Sequence, residues 1–139
     1  MTVLWVNNNI PGGKEMKFIK FKDSWGDDVV GYLQADKYSM NDNLAISVFG
    51  FVKETKSFEP WTTLSVNLRT LCDDKLFYAD TNNLGECDLL SVLEKENIIE
   101  NMNETLQSGW CQYPLYRVTD KFSEYVKKEN EEVNIDGLY

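Results

Sequence analysis

The run Leu44-Ala45-Ile46-Ser47-Val48-Phe49-Gly50-Phe51-Val52 constrains this chain more than any other segment. It is too short for a buried helix and rich in β-branched and aromatic side chains, the composition of a strand buried on both faces. Turn formers precede it at Asn41-Asp42-Asn43, and a polar loop is expected after it from Thr55 to Pro60. The run therefore reads as the central strand of a sheet, and the flanking sequence must supply its neighbours.

Those neighbours are legible as further strands. Lys17-Phe18-Ile19-Lys20-Phe21-Lys22 mixes lysine with apolar residues, as a half-exposed strand does. Lys14, Lys17, Lys20 and Lys22 read as mostly an alternating strand face, where lysine protects an edge or touches an acidic partner. Asp23 to Asp28 reads as a turn into Val29-Val30-Gly31-Tyr32-Leu33-Gln34-Ala35, giving a hairpin. Trp61 to Leu68 alternates, with Leu64, Val66 and Leu68 on one face, and Leu76-Phe77-Tyr78-Ala79 is a short strand. A helix is expected over Glu86–Glu96, with Leu89, Leu90 and Leu93 as its stripe and Asp88, Glu94 and Glu96 facing water. Residues 97–107 fit two readings: Ile98, Ile99 and Met102 extend that helix or form a short edge strand. Trp110 to Val118 returns to strand, where Pro114 indicates an edge or a bulge. Thr119 or Asp120 then caps a short helix with Phe122, Tyr125 and Val126 on one side, and an acidic tail follows from Glu129. The expected architecture is α+β: one antiparallel sheet of five to six strands covered by one or two helices. Residues 16–118 form the domain, and 119–139 a short helix and tail.

The chain's first residues carry a separate signal. Gly12-Gly13-Lys14-Glu15 stands just before Met16, and codons for these residues can contain a ribosome-binding sequence. Met16 is then the natural start, with residues 1–15 a leader. The other reading makes Val3, Leu4, Trp5 and Val6 part of an ordered arm.

What the chain lacks excludes several chemistries. It has no histidine, which removes Ser-His-Asp and Cys-His mechanisms and histidine metal sites. Its three cysteines, Cys72, Cys87 and Cys111, contain no Cys-x-x-Cys pair, so a structural zinc is not expected. Glycine-rich phosphate loops are missing. No cofactor or metal is expected, and no apolar run is long enough to span a bilayer. Free thiols without a signal peptide point to the cytoplasm.

Charge indicates the kind of partner. The net charge is −9, from 23 acidic and 14 basic side chains. Residues 67–109 hold nine acids against three bases. Such a chain repels nucleic-acid backbones and attracts basic protein surfaces. The candidate partner-binding acids are Asp73, Asp74, Glu86, Asp88, Glu94 and Glu96. The aromatic segment with Trp110, Tyr113 and Tyr116 offers contact area of the interface type. Asp80-Thr81-Asn82-Asn83 is a cluster that holds a strand-to-helix corner or grips a ligand. Catalysis by Asp80 with Cys111 or an acid pair requires those groups within hydrogen-bond reach.

Four motifs occur in order: Asn43-Leu44-Ala45-Ile46, Leu64-Ser65-Val66-Asn67-Leu68, Asp80-Thr81-Asn82-Asn83 and Ser108-Gly109-Trp110-Cys111-Gln112-Tyr113-Pro114-Leu115-Tyr116. Over about residues 16–118 this resembles a domain-of-unknown-function family of small bacterial proteins. Its members are common on conjugative elements, plasmids and phages of Gram-positive gut bacteria and begin near the equivalent of Met16. Residues 97–107 depart from the family pattern, which has a glycine-rich turn there. The resemblance marks Asp80, Thr81, Asn82, Asn83 and Pro114 as structural signature. Its genomic setting implies an acidic, non-enzymatic interaction protein, in its sharp form an anti-CRISPR inhibitor that blocks the nucleic-acid channel of a Cas effector. The alternative is a ligand-binding or regulatory module of a conjugative element, with a pocket near Asp80, Asn82 and Tyr116.

Overall fold

The computed structural model describes residues 3–6, 16–128 and 133. Residues 7–15, most of the expected leader, lie outside the described residues, as does the expected acidic tail apart from Val133.

Two antiparallel sheets are present rather than the single sheet expected. The first has the order β1 (Val3–Val6), β2 (Met16–Lys22), β3 (Asp28–Lys37), β4 (Leu44–Val52) and β5 (Ser57–Thr63). Val3 to Val6 pair with Ile19 to Met16 along one edge. The second sheet contains β6 (Ser65–Val66), β7 (Leu76–Ala79), β8 (Ile99–Ser108) and β9 (Cys111–Val118), in the order β6-β7-β9-β8. Two helices, α1 (Thr81–Leu84) and α2 (Leu89–Lys95), and a 3-10 helix (Asp120–Tyr125) are the helical elements among the described residues.

The division into two sheets happens at Leu64. Trp61 to Leu68 alternates as one strand would, yet the chain changes sheets midway. The Leu64 N–H donates to Ile46 O of β4 at 2.9 Å, and its carbonyl accepts from Asp80 N at 2.8 Å. Leu64 is fully buried at this crossing. The expected loop over Thr55–Pro60 is also shorter, because β5 begins at Ser57. Pro60 is accommodated because β5 is an edge strand and its pairing with β4 shifts register at Val48/Phe49. The hydrophobic run forms β4, an interior strand, but the middle of this sheet is β3.

Both faces of the first sheet carry apolar side chains. Ile19, Phe21, Leu33, Ile46 and Val48 face the main core, which also holds Phe77 and Tyr116 of the second sheet. Leu89, Leu93, Phe122 and Tyr125 come to it from α2 and the 3-10 helix. Phe122 and Tyr125 thus tie the chain beyond Val118 into the same core, with Thr119 capping the 3-10 helix. On the opposite face Met16, Phe18 and Tyr32 are buried with Val133 against them. Tyr32 stacks on Phe49 at 5.3 Å between centroids, and Phe58 packs on Phe18 at 5.0 Å. This second cluster absorbs much of the aromatic content; Trp25 and Trp110 are exposed. The alternating lysines divide accordingly. Lys17 lies on the core side, paired with Glu124 at 2.9 Å, whereas Lys20 and Lys22 pair with Asp28.

Helix α2 is shorter than the 86–96 span expected, and Asn97 ends it. Asn97 has φ of 59°, its N–H bonds Glu94 O at 3.0 Å, and the Ile98 N–H bonds Leu93 O at 2.9 Å. This is a Schellman termination, with Ile98 and Leu93 both buried as its apolar contact. The chain therefore leaves the helix before Ile99, and residues 99–108 form a ten-residue edge strand.

Candidate functional site

The sequence motifs converge on a structural joint. Asn43, one of two buried polar residues among the described residues, donates through Nδ2 to Asn67 Oδ1 at 2.8 Å and to Arg69 O at 2.6 Å. Its Oδ1 accepts from Leu71 N at 2.9 Å. Ser65 Oγ accepts from Ile46 N at 2.8 Å and lies 3.0 Å from the Tyr38 hydroxyl. Asp80 caps α1 by accepting from Asn83 N at 3.3 Å, and the Asn83 amide donates to Thr62 Oγ1. Three of the four motifs thus knit the first sheet to the second. Asp80, Thr81, Asn82 and Asn83 form the strand-to-helix corner.

The six candidate acids do not gather on one face. Asp73 accepts from Lys75 N at 2.8 Å and shapes a turn before β7. Asp74 shares a groove with Asp36 and Asp42 at the far end of β3. Asp88 accepts from Lys22 N at 2.7 Å, and its own N–H donates to Lys22 O, so it pins β2 to the start of α2. The Glu96 carbonyl accepts from Lys121 Nζ at 2.8 Å. Glu94 is half-buried and Glu86 exposed. Asp88 and Glu96 line a second groove with Asp28, at the opposite end of β3 from Asp74's neighbour Lys37. Ten residues of strand separate those ends, about 30 Å.

The aromatic candidates also separate. Tyr116 is buried and stacks on Phe77 at 5.8 Å between centroids, so its ring belongs to the core and not to a contact surface. Burial pushes its phenol pKa up, and Glu94 adds to the effect. Neither of those two grooves is lined by Asp80, Asn82 or Tyr116. Trp110 lies at the tip of the β8–β9 hairpin. Ser108 pairs with Cys111, leaving Gly109-Trp110 as a two-residue loop, and Gly109 at φ of 60° fits the first position of a type II′ turn. Nothing lies within 4 Å of the place a Gly109 side chain would occupy.

Behind the tip stands a two-stranded arm. Strand β7 pairs with β9 only from Leu115 to Arg117, whereas β8 and β9 continue pairing out to Ser108 and Cys111. Pro114 falls one residue past the last β7–β9 pair, Tyr78 with Leu115, while it stays paired with Thr105 of β8; having no N–H, it cannot extend the β7 pairing as a donor. On one face of the arm Leu106 pairs with Tyr113, both half-buried. Partial burial, then the neighbouring Cys111 thiol and Asp80 carboxylate, raise the Tyr113 pKa above that of an ordinary phenol. An edge strand was one of the two readings of residues 97–107, but its length and its pairing with β9 as the other half of this arm were not foreseen. Asn101 and Asn103 were its available signal: Asn103 has φ of 58° and its N–H bonds Asn101 Oδ1, marking the β8 register shift.

No curated protein and no solved structure matches the chain. Among the described residues, no helix is long and apolar enough to cross a membrane. A family model described as "Domain of unknown function (DUF4313)" matches residues 32–136, which runs from within β3 through β9 and takes in both helices and the 3-10 helix. The match spans well over half of the chain, and the chain belongs to the DUF4313 family.

Proposed function

We propose that this protein is a non-enzymatic binding protein that docks on a partner protein through the β8–β9 arm, with Trp110 as the anchor. The observation that carries this reading is the fully exposed Trp110 indole, held at the tip of an arm that projects past β7. Tryptophan and tyrosine dominate interface hot spots because they bury large areas at little entropic cost. Leu106 and Tyr113 extend the apolar surface behind the tip.

The partner is a basic protein. The net charge of −9 disfavours nucleic acid itself and speeds encounter with a positive surface. In the setting implied by the resemblance to mobile-element proteins, that partner is a cytoplasmic host nuclease such as a Cas effector. Because the acids divide between two ends of β3, they act as a diffuse field over the molecule and not as a row mimicking phosphates.

The test is a nuclease cleavage assay over a panel of purified Cas effectors, with this protein titrated in. Inhibition is expected for at least one effector, weakening as salt rises, and lost with Trp110→Ala. Equal inhibition by wild type and Trp110→Ala contradicts the anchor, and no inhibition across the panel contradicts the nuclease as partner.

A further inference from the structure

The first sheet divides at one end. Pairing between β3 and β4 stops at Gly31 opposite Gly50. Both flanking hairpins run on: β2–β3 as far as Lys22 opposite Asp28, and β4–β5 as far as Val52 opposite Ser57. The strands on either side of the stop therefore separate, and a cleft of about 660 Å³ lies between them. Over Asp28–Val30, β3 has a strand neighbour on one side only. Backbone groups of successive strand residues point alternately to the two sides, so part of this segment's N–H and C=O set faces the cleft. None of the loop and turn hydrogen bonds among the described residues takes up the backbone of Val29 or Val30.

The lining has two kinds of surface. Val29, Val30, Val52, Pro60 and Trp61 give it an apolar interior. Gly50 lies in the floor: a Cβ there would sit 3.1 Å from Val29 Cγ1 and 3.5 Å from the Trp61 side chain. The rim is acidic, with Asp27, Asp28, Glu54 and Glu59 against the single base Lys53. Asp28 is held by Lys20 and Lys22, whereas Asp27, Glu54 and Glu59 have no ion-pair partner among the described residues.

We propose that this cleft receives an extended segment of a partner protein in which lysine or arginine alternates with apolar residues. Such a segment adds as a strand along Asp28–Val30, satisfying the backbone groups left by the division of the sheet. Its apolar side chains enter toward Trp61 and its cations meet Asp27, Glu54 and Glu59. An acidic segment would instead place like charges side by side at this rim, which costs binding. The site is separate from the β8–β9 arm and stands or falls independently of it.

The test uses a short fluorescein-labelled peptide of alternating lysine and valine, titrated with the full chain and followed by anisotropy. Companion peptides carry glutamate in place of lysine, or N-methyl groups on alternate amides. Expected is saturable binding of the lysine peptide, with amide shifts at Val29, Val30 and the Trp61 indole N–H in NMR spectra. Affinity should fall at least about tenfold for the glutamate peptide, the N-methylated peptide and the triple variant Asp27→Lys/Glu54→Lys/Glu59→Lys. The three replaced residues are exposed, so that variant should retain the wild-type melting temperature. Gly50→Val, which forces Val29 and Trp61 apart, gives a second perturbation, and Trp110→Ala should leave peptide binding unchanged. Absence of binding, equal binding of the lysine and glutamate peptides, shifts mapping to the β8–β9 arm, or a dimer of this chain that occupies the cleft would each overturn the proposal.

Discussion

Asn43 is a buried amide whose hydrogen bonds reach three separate residues, Asn67, Arg69 and Leu71. Removing it leaves the Arg69 carbonyl and the Leu71 N–H without their partner at a part-buried joint, and a desolvation cost then falls on the folded state. Asn43→Ala should destabilise the protein by about 1–3 kcal/mol in urea unfolding, with the midpoint lowered and the slope unchanged. Asn82, exposed in a neighbouring motif, should tolerate alanine within about 0.5 kcal/mol. Among the cysteines, Cys72 is exposed, while burial, with Asp88 and Asp23 nearby, pushes the Cys87 thiol up from its ordinary 9.0. The thiolate is the reactive form, so iodoacetamide at pH 8 should modify Cys72 well before Cys87, as peptide mass spectrometry would record. Asn43, Ser65, Asn67 and Asp80 were visible in the sequence as motif residues, but not as one network. Asn43 and Asn67 bond across 24 positions of chain, and local patterning carries no information about that distance.

Elements whose ends are set by local chemistry were the most legible. The Leu89–Leu93 stripe located α2, and the turn over Asp23–Asp28 located the β2–β3 hairpin. The two-sheet division was not legible, because alternation through Trp61–Leu68 persists while Leu64 transfers its backbone bonds from β4 to Asp80. Strand β8 was ambiguous because Ile98, Ile99 and Met102 fit helical spacing as well as an edge strand. The residue that decides between them is Asn97, whose left-handed backbone is tolerated by asparagine and glycine and resisted by β-branched side chains. Asn97→Val should therefore destabilise by about 1–2 kcal/mol, whereas Asn97→Gly should be neutral or mildly stabilising in thermal melts. A destabilisation of equal size for both would show that the asparagine side chain, not the backbone geometry, ends the helix.

At the scale of the whole molecule, two sheets and a shared core leave two places where binding surface is on offer: the β8–β9 arm and the divided end of the first sheet. Composition announced an acidic protein, but which acids shape turns and which face solvent was decided by contacts distant in sequence. Asp88, chosen from sequence as a partner contact, is committed to Lys22. Tyr116, chosen for the same role, is core. Trp110 remains the proposed anchor, because its place in a two-residue loop leaves it exposed. The most direct measurement of its role is site-specific photo-crosslinking in bacterial cells, with a benzophenone amino acid replacing Trp110 and, separately, the exposed Met40 in the β3–β4 turn. The account predicts one discrete adduct from position 110 and none from position 40, with the adduct's yield falling as salt is raised in lysate. No adduct from position 110, or the same adducts from both positions, would contradict docking through the arm.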